Sequence, residues 1–146
     1  MLEKIKNIYL KYKEVINYLI FGVFTTIVSL ASYYILTYSL LDANNEFELQ
    51  IANVISWVIS VIFAYITNRK YVFKSSNENI FKEITSFVGS RLITLFMDML
   101  IMYVGVSVLG QDAKIFKLIS QVIVIIGNYL FSKIFVFKKS IKEKNI

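Results

Sequence analysis

The chain has 146 residues, of which 57% are apolar, with a mean hydropathy of +0.62 and a net charge of +6. So short a chain cannot bury that much apolar surface in a core of its own, which excludes a water-soluble domain and makes the bilayer the expected solvent. Having neither Cys nor His, it can form no disulfide, Cys-bearing metal site, thiol nucleophile or His base. Its lysines flank apolar runs, a pattern that suits an anionic membrane face and argues against nucleic acid.

In chain order, the first fifteen residues come first. Ile5, Ile8, Tyr9, Tyr12 and Ile16 recur at helical spacing, with Lys4, Lys6, Lys11 and Lys13 between them. This reads as a helix lying in the interface or as a water-exposed extension of the first span. The first apolar run, Ile16–Leu41, exceeds the roughly 7–15 residues of a signal peptide's apolar region, so no cleavable leader is expected. Its face of Gly22, Thr25, Thr26 and Ser29 reads as helix packing. After Asp42–Glu48, a second span covers Leu49–Thr67. Asn53, Ser56, Ser60, Ala64 and Thr67 share one side of it, and the spacing of Ser56, Ser60 and Ala64 suits a close helix contact.

The connection Asn68–Glu83 carries Arg69, Lys70, Lys74 and Lys82, and the third span covers Ile84–Leu109. A charge in the hydrocarbon core costs about 2.5–3.5 kcal/mol on insertion scales, and this span holds two, Arg91 and Asp98. Seven residues apart, they lie on nearly the same face, Arg91 about 10 Å inside the span. Arg91 is the candidate phosphate ligand because its planar fork of donors suits that group. A structural Arg91–Asp98 pair is the plain alternative. Beyond Gly110–Lys114, the fourth span, Ile115–Phe137, aligns Lys117, Gln121, Asn128 and Ser132 within about 60°. These read as a polar translocation path with Asp98, Asn53 and Asn68, or as interhelical hydrogen bonding. Arg69, Lys70 and Lys133 are candidate phosphate ligands at the span ends, together with Arg91. Tyr71, Phe73, Phe135 and Phe137 read as interfacial aromatic anchors.

The fold expected is an all-α integral membrane protein, one membrane domain of four transmembrane helices. The N-terminal, middle and C-terminal segments hold four, four and five of the sixteen Lys and Arg residues. Lysine on the cytoplasmic side of membrane proteins outweighs that outside, so both termini are expected to be cytoplasmic. The spans repeat as two hairpins, residues 16–73 and 84–137. Phe63-Ala-Tyr-Ile-Thr-Asn-Arg-Lys-Tyr-Val-Phe73 aligns with Gly127-Asn-Tyr-Leu-Phe-Ser-Lys-Ile-Phe-Val-Phe137, so Arg69 falls on Lys133. Phe21-Gly22 aligns loosely with Val88-Gly89. Two parallel copies imply a pseudo-axis along the membrane normal.

The Phe-Gly opening, the Asn-Arg-Lys-Tyr-Val-Phe close of the first hairpin and the Ser-Lys-Ile-Phe-Val-Phe close of the second resemble the GtrA-like membrane proteins over about Asn17 to Lys138. The resemblance implies translocation of a polyprenyl-phosphate-linked sugar across the cytoplasmic membrane, for glycosylation of cell-surface polysaccharide or teichoic acid. Membrane lipids and membrane glycosyltransferases would be the partners. The family often carries an acid in the first span, where this chain has Ser29 and Ser32. Two other readings remain: a small cation or drug exporter, for which Asp98 would serve but Arg91 is unsuited, and a non-transporting partner of a glycosyltransferase. No enzyme activity and no cofactor are expected, since the connections are too short for a catalytic domain and no Gly-x-x-x-x-Gly-Lys motif is present. Four helices make a thin wall around a large headgroup, which is compatible with a homo-oligomer.

Overall fold

The computed structural model of the chain describes residues 2–42 and 44–137. The basic tail from Lys138 onward lies outside them. The described residues form four long helices and no strand, each helix long and apolar enough to cross a membrane.

Helix α1 runs Leu2–Ser39, and its regularity breaks at Tyr12 (φ −111°, ψ 17°). The basic N-terminal segment is therefore helical and joined to the first span through that break. Helix α2, Glu46–Thr67, starts at Asn45, whose side chain accepts from the N–H groups of Phe47 and Glu48. Those bonds satisfy donors that the helix start would otherwise leave bare, and Glu48 reaches back to accept from the Asp42 N–H at 2.7 Å and from Asn45 Nδ2 at 3.2 Å, which ties the link to the cap. Helix α3, Ile80–Met102, is capped by Asn79, and α4, Ala113–Phe131, by Asp112. Between α3 and α4, Gly110 takes φ +64°, a left-handed conformation that glycine adopts without steric cost.

Three of the helices do not stop at these limits. Each runs on into a wider π-helical turn, Asn68–Val72 after α2, Tyr103–Val108 after α3 and Ser132–Val136 after α4. The Phe73 and Phe137 N–H groups close the first and last of these on the carbonyls of Asn68 and Ser132, at 2.9 and 2.8 Å. The expected connection Asn68–Glu83 is corrected accordingly. Asn68 to Val72 are helical, α3 begins at Ile80, and the true link is residues 73–79.

The chain divides between Lys74 and Ser75 into two compact units, one hairpin each. In the first, α1 packs along α2. The Tyr18 ring meets Phe73 at 6.5 Å, Phe21 stacks on Tyr71 at 5.2 Å, and Asn17 Nδ2 donates to the Tyr71 carbonyl at 3.5 Å. Ser56, Ser60 and Ala64 are buried as their spacing predicts, and Ala52 is buried with them. The serine hydroxyls bond back to carbonyls of the same helix. In the second unit, α3 packs along α4, and Phe87 meets Phe137 at 5.9 Å. Leu, Ile, Val and Phe side chains stay exposed along all four helices, a surface that suits lipid and not water.

Two expectations fail here. Phe73 and Phe137 are buried to within 4% and are core residues, not interfacial anchors. Tyr71 and Phe135 stay exposed, because residues two apart on a helix point roughly 200° apart. Gly22, expected to be a packing position, has open space where a Cβ would stand.

Candidate functional site

The buried face of α3 is polar along much of its length. Glu83, Phe87, Ser90 and Thr94 recur at spacings of four, three and four and are all buried. This stripe includes an acid, Glu83, that the sequence reading left in a connection. It is 1% exposed and accepts from Ser75 Oγ at 2.6 Å. Arg91 adjoins the stripe, half-buried, with its guanidinium 4.7 Å from the centre of the fully buried Phe87 ring. Such a cation–π contact suits Arg in particular.

Further along α3, Thr94 Oγ1 donates to Asn128 Oδ1 on α4 at 2.7 Å. Next, Asp98 receives Lys117 from α4, with Nζ at 2.7 and 3.0 Å from its two carboxylate oxygens. The Ser120 hydroxyl, fully buried, also donates to Asp98 Oδ1. The plain alternative of a structural Arg91–Asp98 pair within α3 is thus set aside. Asp98 is paired across the hairpin, and its helix neighbour stacks on an aromatic ring. Seven residues span about 10 Å of helix, too far for those two side chains to meet when nearer partners exist.

The expected stripe on α4 separates in the same way. Lys117 goes to Asp98 and Asn128 to Thr94, Ser132 is buried, and Gln121 is exposed. Asn53 on α2 is also exposed. An apolar groove of about 410 Å³ lies in this second hairpin, lined by Met97 of α3 and by Ile123, Ile126, Leu130 and Ile134 on the α4 side.

The three cations at the helix feet differ. Arg69 is half-buried and donates from Nη1 to the Tyr65 hydroxyl at 3.2 Å. Lys133 is exposed and donates to the Tyr129 hydroxyl at 3.1 Å. Tyr65 and Tyr129 are equivalent in the repeat, so each hairpin carries the same Tyr-to-cation contact four residues apart, a spacing the sequence shows once it is looked for. Lys70 is exposed, with its ammonium 5.3 Å from the Tyr71 ring centre. Next to Arg69 and Lys133 stand Asn68 and Ser132, whose Oδ1 and Oγ are buried without a hydrogen-bond partner among the described residues.

The contacts also reset the repeat. Phe73 is equivalent to Phe137, so their ring partners Tyr18 and Phe87 are equivalent too. That is two residues out of step with the loose match of Phe21-Gly22 to Val88-Gly89. In the corrected register Thr25 falls on Thr94 and Ser29 on Asp98, while Asn53 and Ser56 fall on Lys117 and Ser120. Ser29 of the first span therefore has the acid Asp98 as its counterpart in the third.

No solved structure matches the chain. Among curated proteins, it is 39% identical over 128 residues to the cell wall teichoic acid glycosylation protein GtcA of Listeria monocytogenes serovar 1/2a, covering 86% of this chain and 85% of that one. It is 40% identical over 128 residues to the GtcA of Listeria innocua, with the same coverage. Against the membrane protein YwcD of Bacillus subtilis it is 36% identical over 129 residues, or 86% of this chain and 98% of that one. The family model for the GtrA/DPMS transmembrane domain matches residues 17–137. With four helices able to span a bilayer and that match over most of its length, the chain belongs to the GtrA/DPMS transmembrane-domain family and is a multi-pass protein of the bacterial plasma membrane.

Proposed function

We propose that this protein moves a polyprenyl-phosphate-linked sugar across the plasma membrane, supplying the glycosylation of teichoic acid or another cell-surface polysaccharide, with both termini in the cytoplasm. The observation that carries the reading is the ladder of polar groups between α3 and α4: Arg91, then Thr94 with Asn128, then Asp98 with Lys117 and Ser120. Each charge in a span costs several kcal/mol, and a structural role alone leaves that cost unexplained. An anionic headgroup crossing the bilayer needs such partners in succession. The apolar groove of the same hairpin suits an isoprenoid chain, which has no reason to leave lipid. The names of the Listeria relatives support the teichoic acid end of the reading.

The protein acts on this reading as a carrier and not as a catalyst. A glycosyltransferase needs a nucleotide pocket, and the longest link between described helices here is only residues 73–79. The competing reading, a non-transporting partner that anchors a glycosyltransferase, is separated from the first by reconstitution. Purified protein alone in vesicles should equilibrate a polyprenyl-phosphate sugar between leaflets. Failure to do so, with full surface glycosylation in cells carrying the transferase, would favour the partner role.

A further inference from the structure

Lys117 lies about one turn into α4 from Ala113, where a lysine would ordinarily turn its ammonium out toward the nearby interface. In this hairpin it turns inward. Gly105 lies against Phe116, and Thr94 bonds to Asn128, which fixes the antiparallel register of α3 and α4. Ser120, three residues further along α4, donates to the Asp98 carboxylate, so the ammonium turns roughly 4.5 Å down the helix to meet it, at 1.5 Å per residue.

The two partners are held unequally. The Asp98 side chain is 18% exposed and is anchored by the buried Ser120 hydroxyl, whereas that of Lys117 is 47% exposed. The carboxylate is therefore fixed, and the ammonium, on its flexible stem, is the part that can move. The pair is also unnecessary for building such a hairpin. At the contact-equivalent positions the first hairpin has Ser29, Asn53 and Ser56, all neutral, and folds into the same two-helix form.

We propose that Lys117 is a swinging arm that alternates between Asp98 and the phosphate of a lipid headgroup at the loop end of the second hairpin. The inference rests on the translocation reading above, which puts that end outside. An arriving phosphate competes for the ammonium. Asp98, held in place by Ser120, takes the ammonium back and lets the phosphate go. Asp98 thus weakens binding on the exit side so that the lipid is released.

The test measures binding of polyprenyl monophosphate to the purified full chain by native mass spectrometry, with phosphatidic acid and phosphatidylcholine as comparators. Asp98→Asn keeps an acceptor for Ser120 but removes the competitor, so it should bind the phosphate roughly three- to tenfold more tightly. Lys117→Gln should bind more weakly than the parent, and the double variant should match Lys117→Gln. Asp98→Ser, which copies the first hairpin, replaces Asp98→Asn if that variant does not accumulate. No gain in Asp98→Asn, or a gain that persists in the double variant, overturns the arm. If the parent translocates polyprenyl phosphate but Asp98→Asn shows no gain, the arm alone fails. If the pattern appears with phosphatidic acid and not with polyprenyl phosphate, the arm stands and the substrate reading fails. If it appears with neither, the arm fails.

Discussion

Gly105 is where the second hairpin is most sensitive to a single methyl group. A Cβ placed there would stand 1.8, 2.2 and 2.5 Å from three atoms of the Phe116 ring, against 3.4–4 Å for an ordinary contact. The ring would have to retreat by roughly 1.5 Å or more before repulsion eased. Phe116 lies in the first turn of α4, tied to Asp112 by a 3.0 Å backbone bond, so its retreat pulls on the cap that starts the helix. Overpacking of this kind costs about 1–3 kcal/mol, against a gain of up to about 1 kcal/mol from replacing a helical glycine with alanine. Gly105→Ala should therefore be destabilised, lowering Tm by a few degrees, roughly 2–4 °C per kcal/mol, in a detergent melt followed by circular dichroism. Gly22→Ala, with nothing within 4 Å, and Gly127→Ala, whose Cβ would rest 3.5 Å from Thr94 Cγ2, serve as controls that gain the helical preference of alanine without the clash. Adding Phe116→Leu should recover part of the loss. If Gly105→Ala melts with the controls, the close approach is absent and the reasoning about this end of the hairpin fails.

Asn128→Ala removes the acceptor of the Thr94 bond and should cost about 0.6–1.7 kcal/mol, the range for hydrogen bonds between membrane helices. Thr94→Ala should cost about the same, and the double variant should cost clearly less than the sum, as a melt-based mutant cycle will show. Arg91→Ala should cut surface glycosylation, normalised to membrane level, by roughly tenfold or more, with Arg91→Lys intermediate because the charge is kept and the fork lost. Full activity in Arg91→Ala would remove this residue from the site. Arg69→Gln or Lys133→Gln alone should weaken binding of polyprenyl phosphate to the detergent-solubilised protein about fivefold, and both together about 25-fold, at about 1 kcal/mol per cation. Unchanged binding in the double variant would rule out a role for the repeated feet. Ser76→Cys, in the link between the hairpins, should resist an impermeant thiol reagent in intact cells. Labelling from outside would invert the proposed topology.

Much of this architecture is legible in one sequence because a bilayer imposes simple demands. An apolar run of about 20 residues with satisfied backbone bonds is a helix there. Four such runs with short links can only be spans, and the Asn-Arg-Lys-Tyr-Val-Phe and Ser-Lys-Ile-Phe-Val-Phe ends reveal the duplication directly. The unusual chemistry of Arg91 and Asp98 is equally visible, since charges in a span stand out against their surroundings. Helical periodicity, however, gives directions around one helix and says nothing of what faces it across the hairpin. The axial register of α3 against α4 decides that Asp98 meets Lys117 and Ser120 and that Thr94 meets Asn128. Packing of the same kind decides that Phe73 meets Tyr18 and Phe137 meets Phe87 while Tyr71 and Phe135 stay exposed. Those are properties of packing between two helices, where a shift of two residues changes every partner, and only the tertiary structure fixes them.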